Sequence, residues 1–151
     1  MTLWRVSNRK TLDGRGGLST SARWHTRGHR IVYCANSPAA ALLEVLVHTE
    51  VDVGDMPVRI RYLEIKAPDS MTPEPADLPA LGADWQEDMD VTRWYGDAWL
   101  RSRRSSMLQV PSIIVPETWN VLINPVHPES VNIRVAKVHE RSVDQRLLHV
   151  G

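Results

Sequence analysis

Residues 31–48 constrain the fold most, because they predict a strand, a tight turn and a helix in direct succession. The run IVYCA is rich in β-branched and aromatic residues, as buried strands are. Ser37 suits the N-cap of the following helix, and Pro38 suits its first turn, where the missing N–H costs nothing. The stretch therefore predicts a strand at 31–35 that leads directly into a helix.

Apolar residues recur at helical spacing along that helix. At about 100° per residue they cover one broad arc, which comprises Ala39, Leu42, Leu43, Leu46 and Val47. Glu44 falls at the edge of the arc. Because burying an unpaired carboxylate is costly, an acid in such a place is either paired with a cation or retained for chemistry. Arg23 and Arg30 are the candidate cations for the first alternative.

The remaining patterns predict one α+β domain over residues 1–151, which is long enough for a single core. A helical pattern covers 91–104, with Trp94, Ala98 and Trp99 facing inward. Further strands are predicted at 3–6, 57–66 and 131–139 and in two runs within 107–124. Because these strands mostly follow one another instead of alternating with helices, α+β is favoured over a doubly wound sheet.

Composition excludes several classes of function. Eighteen basic and eighteen acidic side chains cancel, so no general field recruits nucleic acid or an acidic membrane. The single Cys34 permits no internal disulfide, the N-terminal residues lack an apolar signal core, and no apolar run reaches the roughly 20 residues of a membrane span. We therefore expect a cytoplasmic protein. The histidines show no paired ligand spacing, so no metal site is expected.

Four residues are candidates for a ligand site, and each has a plainer interpretation. Arg5 and Arg23 stand beside tryptophans and could hold a diphosphate or simply be solvated. Tyr33 could stack on a ring or be a core aromatic. With Glu44 facing a sugar, these residues would form a site for a nucleotide that has a cleavable glycosidic bond.

Two further polar residues lie in the segment VPSIIVPETWNVLINPVHPE. Ser112 does not match the GxSxG turn of a hydrolase nucleophile. Asn124 precedes Pro125 and could equally cap a turn or contact a ligand.

The order of motifs resembles the RES-domain toxins of bacterial toxin-antitoxin pairs, and the resemblance covers nearly the whole chain. The motifs are WRV, RWHTRG, IVYCANSPAAALLEVLVH, GDAWL and VPSIIVPETWNVLINPVHPE. By position, the family's arginines, tyrosine, glutamate, serine and asparagine correspond to Arg5 and Arg23, Tyr33, Glu44, Ser112 and Asn124.

The resemblance implies a fold like that of ADP-ribosyltransferases, with mixed or antiparallel sheets and flanking helices, and members that consume NAD+ as substrate without a prosthetic group. It implies that Glu44 faces the ribose, Tyr33 stacks on the nicotinamide or ribose, and Arg23 with Arg5 holds the diphosphate. Ser112 and Asn124 would then supply orienting hydrogen bonds. Nicotinamide leaves as a neutral molecule, so one carboxylate suffices where ordinary glycoside hydrolysis needs two.

The reaction so implied is cleavage of the nicotinamide-ribose bond by hydrolysis or phosphorolysis. Transfer of ADP-ribose to a host protein is the alternative within the same chemistry, and a catalytically inactive antitoxin-binding module is the alternative outside it. The resemblance also implies a complex with an Xre-like helix-turn-helix antitoxin, which would contact Arg5, Arg23 or Arg27 and carry out any DNA binding by the complex.

Overall fold

The computed structural model describes residues 1–48 and 59–148, which form seven strands and three α-helices. The strands are β1 (Thr2–Val6), β2 (Val32–Ala35), β3 (Arg59–Lys66), β4 (Glu74–Pro75), β5 (Met107–Pro111), β6 (Trp119–Ile123) and β7 (Arg134–Ser142). The helices are α1 (Gly16–Ser19), α2 (Pro38–His48) and α3 (Met89–Ser102), and single 3₁₀ turns cover Leu78–Leu81, Pro128–Asn132 and Gln145–Leu148.

The seven strands hydrogen-bond into one mixed sheet in the order β4-β5-β6-β2-β1-β3-β7. Within the described chain, only the short β4 pairs in parallel, with β5. This arrangement confirms the α+β class. Each proline that interrupts the apolar runs lies at the end of a strand or beyond it, as with Pro111 at the end of β5, where a missing N–H costs no ladder bond.

Strand alternation gives the sheet two faces with separate cores. One face, called here the α3 face, packs Leu108, Leu122 and the ring of Tyr33 against Trp24 and Trp99. The opposite face carries a second core, which includes Leu3, Val32, Cys34, Leu63 and Ile65. The two faces matter for function because every strand side chain must belong to one or the other.

The strand and cap predictions are confirmed with small shifts of boundary. The Ser37 hydroxyl accepts the backbone N–H of Ala40 at 3.1 Å, which makes Ser37 the cap of α2. The last strand extends to Ser142, three residues beyond the predicted 139. The first two residues of the strand predicted at 57–66 lie outside the described residues. No helix within 1–48 or 59–148 is long and apolar enough to cross a bilayer.

Two predictions of inward-facing residues are wrong. On α2, Leu43 and Val47 are 37% and 55% exposed, whereas Ala41, which lies outside the predicted arc, is buried. The helix packs against β1 and β2 with Ala41 buried, and Glu44 also faces the sheet. On α3, Trp94 is 62% exposed while Trp99 is fully buried.

Candidate active site

Glu44 is held by two side chains from the sheet. The Ser112 hydroxyl donates a hydrogen bond to Glu44 Oε1 at 2.7 Å, and the Asn120 amide donates through Nδ2 to the same oxygen at 2.9 Å. Both donors therefore converge on the same oxygen of the Glu44 side chain. The structure therefore joins the predicted Glu44 and Ser112 directly.

The strands explain why these donors meet. Asn120 lies on β6 opposite Ala35 of β2 and Val110 of β5, so its side chain shares the α3 face with Leu122. Ser112 follows the last residue of β5. Its hydroxyl accepts the backbone N–H groups of Ile114 and Val115 at 3.1 and 3.3 Å, so its one proton is directed to Glu44.

A cleft of about 330 Å³ opens beside Glu44. One wall is the start of α2, and the other is the loop between β5 and β6. The cleft is lined by Asn36, Ser37, Ala39, Ala40, Leu43, Glu44, Ser112, Val115, Glu117 and Thr118. Its volume is at the low end of the roughly 300–1,000 Å³ typical of small-molecule sites. A fixed carboxylate in such a cleft can stabilise a positive charge that develops on a bound molecule.

Tyr33 lies on the same face of the sheet as this cluster. It pairs with Leu122, which makes it a diagonal neighbour of Asn120. Its hydroxyl accepts the backbone N–H of Trp24 at 3.1 Å and hydrogen-bonds His25 Nδ1 at 2.7 Å. Burial raises the pKa of the Tyr33 hydroxyl well above its ordinary value, so the group stays protonated at neutral pH.

Arg23 belongs to a loop that is hydrogen-bonded to α3. Its Nη2 donates to the carbonyl oxygens of Trp85 and Gln86 at 2.8 and 2.6 Å, while its Nε is buried with no partner. Burial, and then the nearby Arg93, lowers the pKa of Arg23. The loop contacts Tyr33 through the Trp24 N–H, which donates to the Tyr33 hydroxyl. Arg23, Tyr33 and Glu44 therefore lie in that order along the α3 face.

Gly96 allows α3 to approach this loop. A Cβ at Gly96 would overlap the carbonyl oxygen of Trp24. The Thr92 hydroxyl, one turn earlier on α3, donates to the carbonyl of Arg23 at 2.6 Å. The backbone that carries Arg23 and Trp24 is therefore fixed by close contact with the helix.

The structure does not bring Arg5 or Asn124 to the Glu44 cluster. Arg5 pairs with Leu63 and shares the opposite face with Leu3, and burial there lowers its pKa. Asn124 is 2% exposed and sits within a turn. Its Nδ2 donates to Leu100 O and its Oδ1 accepts the N–H of Val126, which is the turn-capping alternative.

Asn120 is the member of the cluster that sequence reasoning missed. The motif NVLINP contains two asparagines, and the family pattern assigns the ligand role to the second. Strand alternation about Leu122 gives both asparagines the same parity, and they differ because β6 ends at Ile123, before Asn124. Among residues 1–48 and 59–148, no group of three or more His, Cys, Asp or Glu side chains lies close enough together to hold a metal ion.

The fold and the cleft define the class: a single α+β domain whose helix presents one carboxylate to a small cleft beside a mixed sheet. The RES domain model matches residues 2–146. The chain is 46% identical over 127 residues to "Toxin Res" of Pseudomonas putida, which covers 84% of this chain and 86% of the relative. It is 36% identical over 137 residues to "Prs ADP-ribosylating toxin" of Sphingobium sp., at 83% of both chains.

A solved structure has the same fold. The crystal structure of the M. tuberculosis MbcT-MbcA toxin-antitoxin complex contains a chain that superposes with a TM-score of 0.71 at 16% identity, over 97% of this chain and 86% of that one. This structure shows the fold, and the family model and the sequence relatives show the family: the chain belongs to the RES-domain proteins and is a RES-domain toxin.

Proposed function

We propose that this toxin cleaves the N-glycosidic bond between nicotinamide and ribose in NAD+. The observation that carries the proposal is the geometry of Glu44, whose Oε1 accepts hydrogen bonds from both Ser112 and Asn120 at the wall of a cleft of about 330 Å³. NAD+ suits a site with this single fixed carboxylate, because its leaving group is already a cationic pyridinium and needs no general acid.

The chemistry assigned to Glu44 is electrostatic. As the glycosidic bond breaks, positive charge develops on the ribose, and a carboxylate fixed beforehand stabilises it without reorganising. The proposal retains Tyr33 as the residue that stacks on the nicotinamide or ribose, because it stands on the same face, diagonal to Asn120. Its protonated hydroxyl does not act as a base.

The cleft is small, so it would hold the nicotinamide-ribose half of NAD+ and leave the diphosphate outside. We assign the diphosphate to Arg23; Arg5, the further arginine of the family pattern, lies on the opposite face of the sheet and would have to reach the diphosphate from there. Ser112 takes a revised role: its proton goes to Glu44, so it orients the carboxylate rather than the substrate. Both polar atoms of the Asn124 amide already have partners, because Nδ2 donates to Leu100 O on α3 and Oδ1 accepts the Val126 N–H, so Asn124 would reach substrate only by giving up one of these bonds.

The acceptor of the ADP-ribose is either water or phosphate in a degradative reaction. Transfer to a protein is the second candidate function, and it is favoured by the printed name of the Sphingobium relative, which describes an ADP-ribosylating toxin. Both reactions break the same bond with the same use of Glu44. They differ only in the nucleophile that attacks the ribose.

One incubation separates these possibilities. The purified chain is mixed with NAD+, with and without phosphate and with a cell extract as a source of acceptor proteins, and the products are separated by chromatography. We expect free nicotinamide from the unmodified chain and none from Glu44→Ala, with Glu129→Ala as the control on an exposed 3₁₀ turn. Free ADP-ribose indicates hydrolysis, its phosphate ester indicates phosphorolysis, and modified protein indicates transfer.

A folded chain that releases no nicotinamide under any of these conditions would instead support the catalytically inactive, antitoxin-binding alternative. Circular dichroism of each variant shows that loss of turnover is not loss of fold.

The proposal includes an Xre-like helix-turn-helix antitoxin that binds the chain and blocks the cleft. A carboxylate or chain terminus of the partner could occupy the position of the diphosphate, with Arg5, Arg23 and Arg27 as candidate contacts. Co-expression with such an antitoxin is expected to give a stable hetero-oligomer that leaves NAD+ intact. A complex with undiminished turnover would show that inhibition does not work by occlusion.

A further inference from the structure

We propose that Asn120 is a positioning residue for Glu44, an inference that rests on the proposed cleavage of NAD+. Asn120 is half-buried on β6, a central strand of the sheet, and its Nδ2 donates to Glu44 Oε1 at 2.9 Å. It acts through the carboxylate, so it has no need to touch the substrate.

The orientation of the Asn120 amide carries a structural cost. Its Oδ1 is buried with no hydrogen-bond partner. A buried acceptor without a donor is unfavourable, and most such groups in folded proteins are paired. An apolar side chain of similar size would avoid this cost. Packing alone therefore gives no reason for an asparagine at this position.

The charge of Glu44 explains the orientation. If the amide were turned over, Oδ1 would face the carboxylate and repel it, while Nδ2 would face the buried side. The observed orientation instead gives a hydrogen bond to an ionised acceptor, which is about twice as strong as one between neutral groups. In this orientation Nδ2 holds the carboxylate, and Oδ1 is left without a hydrogen bond.

The second donor makes this arrangement a rigid one. Ser112 reaches the same oxygen from the end of β5, and its hydroxyl is itself fixed by two backbone N–H groups. Two donors from adjacent strands set the rotation of the Glu44 carboxylate before any ligand binds. Such preorganisation acts on the rate of the chemical step more than on the binding of the ground state.

The first test is Asn120→Leu, which removes the donor and the unpaired acceptor while keeping the branched shape and the number of side-chain heavy atoms. We expect kcat for NAD+ to fall by on the order of 10- to 100-fold, the equivalent of one hydrogen bond to a charged group. KM should stay within about twofold and Tm should be unchanged or higher. A residue with a merely structural role would instead lower Tm and leave kcat intact. Asn132→Leu, at an exposed position, is the matched control.

The second test exchanges the two ends of the hydrogen bond. Asn120→Asp alone places two carboxylates together and should lower Tm. Adding Glu44→Gln restores the bond with the donor reversed, so Tm should recover while turnover stays lost, because the charge then stands on the wrong residue. Failure of Tm to recover would overturn the direct pairing of the two side chains.

The outcomes separate this inference from the proposed function. If the unmodified chain consumes no NAD+, the proposed function fails and the positioning role fails with it. If the unmodified chain consumes NAD+ and Asn120→Leu has the same kcat, only the positioning role is overturned.

Discussion

The two ends of the α3 face differ in the partners of their polar side chains. At the Glu44 end, the side chains of Ser112 and Asn120 bond to another side chain, and the carboxylate borders an open cleft. At the other end, Arg23 bonds to the backbone of a neighbouring segment, and Tyr33 bonds to both the backbone and a side chain of the loop that carries Arg23. The family pattern places these residues, Asn120 excepted, in one site, but their local environments differ.

The difference indicates a division of work. Polar groups that bond the backbone hold a loop in place, and their removal should appear first as lost stability. A carboxylate fixed by side chains beside open space adds nothing comparable to the scaffold, so its removal should appear as lost activity. Each of the following substitutions tests that division.

Glu44→Gln should have the largest effect. It keeps the size of the side chain and much of its hydrogen bonding but removes the charge that stabilises a cationic ribose. Loss of one electrostatic element of an active site costs about 2.7–4 kcal/mol, or roughly 10²–10³ in kcat. We expect this fall in NAD+ turnover with Tm changed by only a few degrees. Retained turnover by a pure, folded variant would remove Glu44 from the mechanism.

Arg23→Lys should mainly lower stability. Both bonds to Trp85 and Gln86 come from the terminal Nη2 of Arg23, and lysine keeps the positive charge but is too short to place its ammonium group at that position. We expect a loss of about 2 kcal/mol in the free energy of unfolding, and a fall in Tm of roughly 2–4 °C for each kcal/mol.

The affinity for NAD+ should fall as well in Arg23→Lys if the guanidinium holds the diphosphate. Arg101→Lys, on an exposed side chain in the last turn of α3, is the control. A changed KM with unchanged Tm would contradict the division and assign Arg23 to the ligand alone.

Tyr33→Phe should lower stability by about 1 kcal/mol, because the Trp24 N–H loses its acceptor. The ring remains, so KM and kcat for NAD+ should change little. A large fall in kcat would instead give the hydroxyl a part in the chemistry.

Tyr33→Phe should also change how the stability of the fold depends on pH in the alkaline range. Because the pKa of Tyr33 is raised in the folded chain, the unfolded chain releases its proton first, and stability is lost as pH rises above about 10. Tyr33→Phe should lack this part of the alkaline loss, which Tm measured between pH 8 and 11 would reveal.

Cys34→Ala should have the smallest effect on turnover. Cys34 lies in the core of the opposite face, and burial raises the pKa of its thiol to about 12. The unmodified protein should therefore resist a thiol-reactive reagent until it is unfolded, and the variant should keep its kcat. Rapid labelling of the native protein would show that this core opens.

The sequence predicted local structure well where short-range chemistry decides it. The cap at Ser37, the strand before it and the strand that became β3 all depend on residue types and spacing within a few positions. Which side of a helix turns inward is not local in this sense. Ala41 is buried because α2 lies close to β1 and β2, and the larger Leu43 is displaced outward to the cleft.

The site was predicted in part for the same reason. Glu44 and Ser112 come from motifs that the family shares, and they do meet. The choice of Asn124 over Asn120 could not be made from the motif alone, because both are asparagines of one short segment. Strand pairing decides it: Asn120 stands opposite Ala35 within the sheet, whereas Asn124 lies past the end of β6.

The close contact at Gly96 has a consequence for the genetics of this toxin. Every base change at the first or second position of a glycine codon replaces the residue, and any side chain at Gly96 collides with the Trp24 carbonyl. We expect a single substitution there to destabilise the fold, and so to abolish toxicity, without altering the lining of the cleft. Survivors selected from cells that express the toxin should therefore fall into two groups, those that accumulate a folded but inert protein altered at Glu44 and those that lose the protein through a change at Gly96.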